Sequence, residues 1–263
     1  MKDEHQPRKR FGQNFLRDLS VVERILEAAR LDRNSRVLEI GPGLGALTNR
    51  LLELAGRVEV MEIDRDLVAR LEERGHPRLK IHQGDALHLP WNELLLEPPY
   101  TLVANLPYNI SSQILFRILD HRHLFGRLVL MFQKEVGERL CAAPGTGEYG
   151  ILSVLCPLWF DIRRVVLVRP GAFFPPPKVD SVVLSFEALA APRVAVDDEA
   201  FFRRVVKAAF AQRRKTLRNT LKSAGFAETD LLAALEGCGL DPQARGETLS
   251  LEQFARLAAA LRR

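Results

Sequence analysis

In the first two-thirds of the chain, the apolar residues fall into short runs that alternate with helical patterns, and few folds accommodate that rhythm. The runs are "RVLEI" (36–40), "RVEVMEI" (57–63), "LKIHQ" (79–83), "YTLVAN" (100–105) and "RLVLMF" (127–132). Helical spacing marks "LGALTNRLLEL", "DRDLVARLEER", "SSQILFRILDH" and "QKEVGERLCAA". Such alternation predicts a parallel sheet flanked by helices. "RRVVLV" (163–168) and "SVVLSF" (181–186) read as a closing hairpin. After Phe186 the stretch "EALAAPRVAVDD" loses periodicity and reads as a linker, and from Asp198 onward the pattern is helical, with Ser250 and Gln253 spaced as a capping box. The expectation is a strand-rich α/β domain over residues 1–187 and a small all-helical domain over 188–263.

A chain of 263 residues is long enough to bury a substantial core. The opening "MKDEHQPRKRF" is basic without a following apolar stretch, and no run approaches the roughly 18 apolar residues of a membrane span. Cys141, Cys156 and Cys238 are scattered, with no second thiol or imidazole at ligand spacing, so neither a disulfide framework nor a metal site is predicted. A soluble, cytoplasmic protein with no membrane partner is expected. The net charge of +5 and pI of about 9.3 are a modest excess, so its placement matters more than its size.

The first run leads into "EIGPGLGALT", which puts Gly41, Gly43 and Gly45 in a strand-to-helix turn, where a missing Cβ lets a ligand approach the backbone. The second run ends "MEID" and places Glu62 and Asp64 about where nucleotide-binding sheets keep an acid for ribose hydroxyls. Both point to the same side of an extended strand, so spacing does not choose between them. The third run ends "GDAL", where Asp85 is either a helix cap or an acceptor for an adenine amine. The turn reads G-x-G-x-G and lacks a phosphate-binding lysine. Carboxylates without a phosphate cradle suit S-adenosylmethionine, with a nicotinamide dinucleotide as the alternative.

The fourth run ends in "NLPYNISS", at the sheet edge where such folds bind ligands. An adenine amino nitrogen is a poor nucleophile, because its lone pair is delocalised into the ring. If the Asn105 side-chain oxygen and the Leu106 carbonyl each accept one amino hydrogen, that lone pair is freed toward a methyl donor. Pro107 stiffens the turn, and Tyr108 offers a flat face to an extruded base. In the tail, Arg203, Arg204, Lys207, Arg213, Arg214, Lys215, Arg218 and Lys222 run without an acidic residue among them. With Arg8, Lys9 and Arg10 at the start, they form candidate phosphate contacts, a solvated surface being the alternative.

"NLPYNISS", together with "RKRFGQNFL", "LEIGPGLGALT", "EIDRDL", "FQKEVGERL", "FFPPPKVDSVV" and "FAQRRKTLRNTL", resembles the KsgA (RsmA) family of ribosomal RNA adenine dimethyltransferases. The resemblance runs from about residue 8 to the end of the chain. It implies a Rossmann-like methyltransferase domain with a helical tail that dimethylates two adjacent adenosines in the 3′-terminal hairpin loop of 16S rRNA, late in 30S assembly. It places cofactor contacts on Asn14, Leu16, Gly41, Gly43, Glu62, Asp85, Ala86 and Asn105, and so prefers Glu62 to Asp64. It implies a catalytic turn over Asn105 to Tyr108, with Phe173 as a second aromatic wall, and RNA contacts that include Arg213, Arg214, Lys215 and Arg218. A monomer is expected. The competing readings are an Erm-type methyltransferase of large-subunit rRNA and a non-catalytic assembly factor.

Overall fold

The structure, a computed structural model, describes residues 13–212 and 214–262. The first elements among the described residues are a two-residue strand, β1 (Phe15–Leu16), and α1 (Leu19–Ala29). The Asp18 carboxylate caps α1, accepting from the N–H groups of Ser20 and Val21. The helix buries Val21, Val22, Ile25, Leu26 and Ala29, the single stripe expected of a helix lying on a sheet.

The expected alternation follows as β2 (Arg36–Ile40), α2 (Ala46–Leu54), β3 (Arg57–Glu62), α3 (Arg65–Glu72), β4 (Leu79–Gln83) and the single turn α4 (Trp91–Leu94). It continues as β5 (Tyr100–Asn105), α5 (Ser111–Asp120), β6 (Phe125–Gln133) and α6 (Lys134–Leu140). Next come α7 (Ile151–Trp159), β7 (Phe160–Val168), β8 (Phe173–Phe174) and β9 (Ser181–Ala188), and then α8 (Glu199–Ala209), α9 (Leu217–Ser223), α10 (Glu228–Gly237) and α11 (Leu251–Leu261).

Seven strands form one sheet in the order β4-β3-β2-β5-β6-β9-β7. The pairs from β4 to β6 are parallel, and β9 runs antiparallel to β6. The expected hairpin strands β7 and β9 are neighbours at the end of the sheet. The outermost strand, β7, exposes Arg163 and Arg164, charges that discourage another strand from pairing there. β1 and β8 make a separate antiparallel ribbon, with Leu16 opposite Phe173 and Phe15 opposite Phe174. Leu16 and Phe173 join the core cluster that includes Val22, Val37, Leu51 and Val183.

The chain divides into two compact units. One holds the residues up to Gly137 together with Asp161–Ala188, and the other Glu138–Phe160 with Leu189 onward. In the second unit α7 packs on α8. The backbone of the expected linker is tied down, with Leu189 and Arg193 N–H groups donating to the Trp159 and Leu158 carbonyls. That stretch is therefore no free tether. Ser250 and Gln253 form the expected capping box of α11. No helix among the described residues is long and apolar enough to cross a membrane.

Gly137, inside α6, tests how tightly the sheet is covered. Alanine in a helix is favoured over glycine by about 1 kcal/mol, but a Cβ here would overlap the Cγ1 of Val182, which is 1% exposed and has no room to shift. Overpacking of that kind costs about 1–3 kcal/mol, so the clash wins. Gly137→Ala should lower the urea midpoint by the equivalent of about 1–2 kcal/mol, and an unchanged or raised midpoint would refute this account.

Candidate active site

The sheet order reverses beside β2, which pairs with β3 on one side and β5 on the other. Strand ends diverge at such a point and leave a crevice. Here it is a cavity of about 330 Å³ lined by residues from β1, the turn after β2, the ends of β3 and β4, and the "NLPYN" segment after β5. That volume lies at the lower end of the range for small-molecule sites.

The glycine turn is shaped by what must come close to it. Gly41 has φ of +69° and nothing within 4 Å of where a Cβ would stand, so its backbone faces open space. Gly43 has φ of +57°, and a Cβ there would come within 2.9 Å of the Phe15 ring. The Arg74 guanidinium holds this loop, donating to the Leu44 carbonyl at 3.0 Å and to Asn49 Oδ1 at 2.6 Å.

The two acids that sequence spacing leaves open have separate roles. Glu62, 5% exposed, lines the cavity and accepts the Asp64 N–H at 2.9 Å and, weakly, the Gly43 N–H at 3.4 Å. Burial pushes its carboxyl above the ordinary range, partly offset by those N–H groups. Asp64 caps α3 instead, accepting from the Asp66 N–H, and takes a bond from the Gln13 amide at 3.1 Å. Asp85 combines a turn cap with a place in the wall, since it lines the cavity while its Oδ1 accepts the Leu87 N–H at 2.9 Å. Its Oδ2 lies 3.0 Å from His88 Nδ1. Ala86 lines the cavity beside it.

At the opposite end, the Asn105 side-chain amide donates to the Asn14 carbonyl at 3.0 Å. Only the NH₂ group can face a carbonyl, so this contact fixes the flip and leaves Oδ1 as the acceptor. Among the described residues nothing donates to that oxygen. The Leu106 N–H reaches the Met131 carbonyl at 3.4 Å, and Pro107 accepts from the Ile110 N–H at 3.2 Å, which fixes the turn. The Tyr108 hydroxyl pairs with the Ser181 hydroxyl at 2.6 Å, anchoring the ring by its edge, and burial raises its pKa.

Asn14, Leu16, Gly41, Gly43, Glu62, Asp85, Ala86 and Asn105 to Tyr108 therefore all line one cavity. Phe173 does not. It is 4% exposed, packs in the core opposite Leu16, and gives the cavity no second aromatic wall. Arg8, Lys9, Arg10 and Arg213 lie outside the described residues. Arg214 and Lys215 are exposed, but Arg218 and Lys222 both pair with Glu228, whose carboxyl they hold down at about 2. Glu228 lies beyond the basic run in sequence, so the run alone hides this pairing. Among the described residues no group of acids, histidines and cysteines is arranged to hold a metal.

Glu39 lines the cavity and is not among the residues that motif spacing singles out, although a carboxylate inside an otherwise apolar central strand is itself a signal. It is 1% exposed and accepts from the Thr48 hydroxyl at 2.7 Å. Burial pushes its carboxyl up to about 8, against the pull of that hydroxyl and with some repulsion from Glu62. A carboxyl raised on folding keeps its proton after the unfolded chain has lost its own. Its stability contribution is thus full below the ordinary value of 4.5 and declines as pH rises to about 8. Glu39→Gln should make unfolding free energy, measured without cofactor, flatter across that window and higher at its upper end. A slope identical to that of the parent protein would contradict the buried neutral acid.

The family description "Ribosomal RNA adenine dimethylase" matches residues 4–263. A protein named "Ribosomal RNA small subunit methyltransferase A" from Syntrophotalea carbinolica is 66% identical over 254 residues, spanning 97% of this chain and 96% of the relative. One of the same name from Geobacter sulfurreducens is 54% identical over 261 residues, spanning 97% and 95%. Among solved structures, a dimethyladenosine transferase from Plasmodium falciparum is similar at TM-score 0.80 and 29% identity, covering 92% of this chain and 95% of its own. The 23S rRNA methyltransferase ErmE is similar at TM-score 0.69 and 29% identity, covering 95% and 100%.

Proposed function

Since the chain belongs to the ribosomal RNA adenine dimethylase family, we propose that its cavity transfers methyl groups to the exocyclic amines of two adjacent adenosines in the 3′-terminal hairpin loop of 16S rRNA, within the 30S subunit or its late precursor. The enzyme is an S-adenosylmethionine-dependent rRNA adenine dimethyltransferase. The observation that carries the site assignment is the single cavity that joins the glycine turn, Glu62 and Asp85 at one end to Asn105, Leu106 and Tyr108 at the other.

The residues present fit the cofactor. Gly41 and Gly43 leave backbone open, the Glu62 carboxylate suits ribose hydroxyls, Asp85 suits an adenine amine, and Asn14, Leu16 and Ala86 complete the walls. When bound, S-adenosylmethionine supplies a sulfonium methyl group. The chain's own contribution is to present acceptors to the target amine. Asn105 Oδ1, left as the acceptor by the bond from its amide to Asn14, takes one amino hydrogen, and the Leu106 carbonyl takes the other. The nitrogen lone pair then faces the methyl carbon, so that the new N–C bond would form as the donor's carbon–sulfur bond breaks and a neutral thioether leaves, and one amine proton would pass to solvent. Tyr108, anchored through Ser181, stacks on the base, a contact worth about 1–3 kcal/mol.

In the helical unit, Arg214 and Lys215, with Arg213 beside them in sequence, hold RNA through its phosphates. Arg218 stays engaged with Glu228. The two Syntrophotalea and Geobacter relatives carry the small-subunit name, which favours 16S over large-subunit RNA as the substrate. Mass spectrometry of adenosines, after unmethylated small and large subunits are each incubated with enzyme and labelled cofactor, tests the assignment. Dimethyladenosine confined to 16S rRNA is expected, and label confined to 23S rRNA would overturn it.

Two variants separate chemistry from grip. Asn105→Ala should reduce turnover by about 10²- to 10³-fold, the loss typical of one preorganised polar group at the reacting centre, with little change in RNA affinity. Near-parental turnover would remove the acceptor mechanism. Neutralising Arg214 and Lys215 should weaken subunit binding and flatten its log–log dependence on salt by about 0.7–0.9 for each phosphate no longer neutralised, with cofactor affinity unchanged. Arg218→Ala should leave that slope alone, and a drop equal to that of Arg214→Ala would show that the Glu228 pair opens on RNA.

A further inference from the structure

The ribbon of β1 and β8 presents two adjacent phenylalanines in opposite senses. Phe173 is 4% exposed and lies in the core, whereas Phe174 is 41% exposed. Phe174 stands opposite Phe15, so the two side chains share a face of the ribbon, and Phe15 lines the cavity. The open ring is therefore a single cross-strand step, about 5 Å, from a wall of the reacting site. It is also covered on one side, because the Arg17 guanidinium carbon sits 4.1 Å from the ring centroid. Arg17 is itself exposed, its backbone N–H is tied to the Ala172 carbonyl at 2.8 Å, and among the described residues no carboxylate pairs with its side chain.

We propose that Arg17 and Phe174 form a stacking platform for the nucleobase next to the adenine being methylated, so that the rim of the cavity holds a second base. This rests on the function proposed above. An adenine drawn out of a loop leaves its neighbour without a stacking partner, and flat side chains of this kind, aromatic rings and guanidinium planes, receive unstacked bases in single-stranded RNA. A guanidinium fixed over a ring adds a positive charge beside the base, where the phosphate joining it to the target must pass. The spacing agrees, since one cross-strand step is comparable to the reach of one nucleotide. An exposed ring capped by a cation is a poor apolar patch for a protein partner, yet it offers both the flat face and the charge that a nucleotide needs.

The experiment uses small subunits assembled with 16S rRNA that carries 2-aminopurine in place of either neighbour of a target adenosine, titrated with the full-length enzyme. With the parent protein, fluorescence at one of the two positions should be quenched at saturation. Phe174→Ala and Arg17→Ala should relieve that quenching and raise KM for unmodified subunits roughly tenfold with kcat changed less, while Phe174→Tyr retains both properties. Equal fluorescence for the parent and Phe174→Ala at saturation, or an unchanged KM, would overturn the platform. So would a parallel loss of cofactor affinity in Phe174→Ala, which would make the ring a structural support. If the parent quenches but leaves 16S rRNA unmethylated, the assigned reaction fails while the platform stands.

Discussion

The bond between the Asn105 amide and the Asn14 carbonyl joins the two parts of the molecule on which the site depends. Asn105 ends β5, a central strand whose position is set by parallel pairing on both sides. Asn14 immediately precedes the ribbon, which is only two residue pairs long. The carbonyl gives the ribbon a fixed point on the sheet, and in return it engages the NH₂ group and leaves the Asn105 oxygen as the acceptor. An ionised aspartate at 105 could not make this bond, because it has no hydrogen to give to a carbonyl. The residue type is thus required by its structural neighbour as much as by the chemistry in front of it.

Around that point the cavity divides its electrostatics. Glu39 and Glu62 are both carboxyls lifted by burial, and they stand at the end where the glycine turn opens. The end formed by Asn105 to Tyr108 has no ionisable group other than a phenol raised by burial. A cationic donor at that end favours the ionised form of both carboxyls and is held by it in turn, and a neutral base meets only acceptors and an aromatic face at the other. Orientation of the two reactants follows from this asymmetry before any specific contact is counted.

The parallel sheet is legible in the sequence because fully buried strands such as "YTLVAN" leave continuous apolar runs bounded by turns, and six of its seven strands lie within two residues of the positions expected from sequence. The exception is β7, which starts at Phe160, three residues before "RRVVLV", because α7 ends at Trp159 and runs straight into the strand with no turn residue to mark its start. α1 escapes the sequence reading, although its apolar spacing is plain once Asp18 is read as a cap. α7 carries no stripe to read. Its sequence, "ILSVLCPLW", is buried on nearly every side, so periodicity vanishes. The β1 and β8 ribbon lies below any pattern signal, since two residues have no period. Pattern therefore does not decide which of Phe173 and Phe174 is buried, and the placing of Phe173 at the cavity wall comes from the family resemblance alone. In the tail the basic run is visible, but its partner Glu228 follows a turn, and only folding brings the charges together.

The path of the chain between its two compact units has a consequence for how the protein can be divided. Residues 138–160 leave the first unit to join the second, and residues 161–188 return. A fragment ending near residue 187 would therefore carry α7, whose residues are mostly buried, without α8, the helix it packs against. Such an apolar segment is a nucleus for aggregation. During synthesis the same segment emerges dozens of residues ahead of α8 and must wait without it. Separating the catalytic sheet from its helical companion thus calls for rejoining the chain in a new order, because no single cut leaves both halves whole.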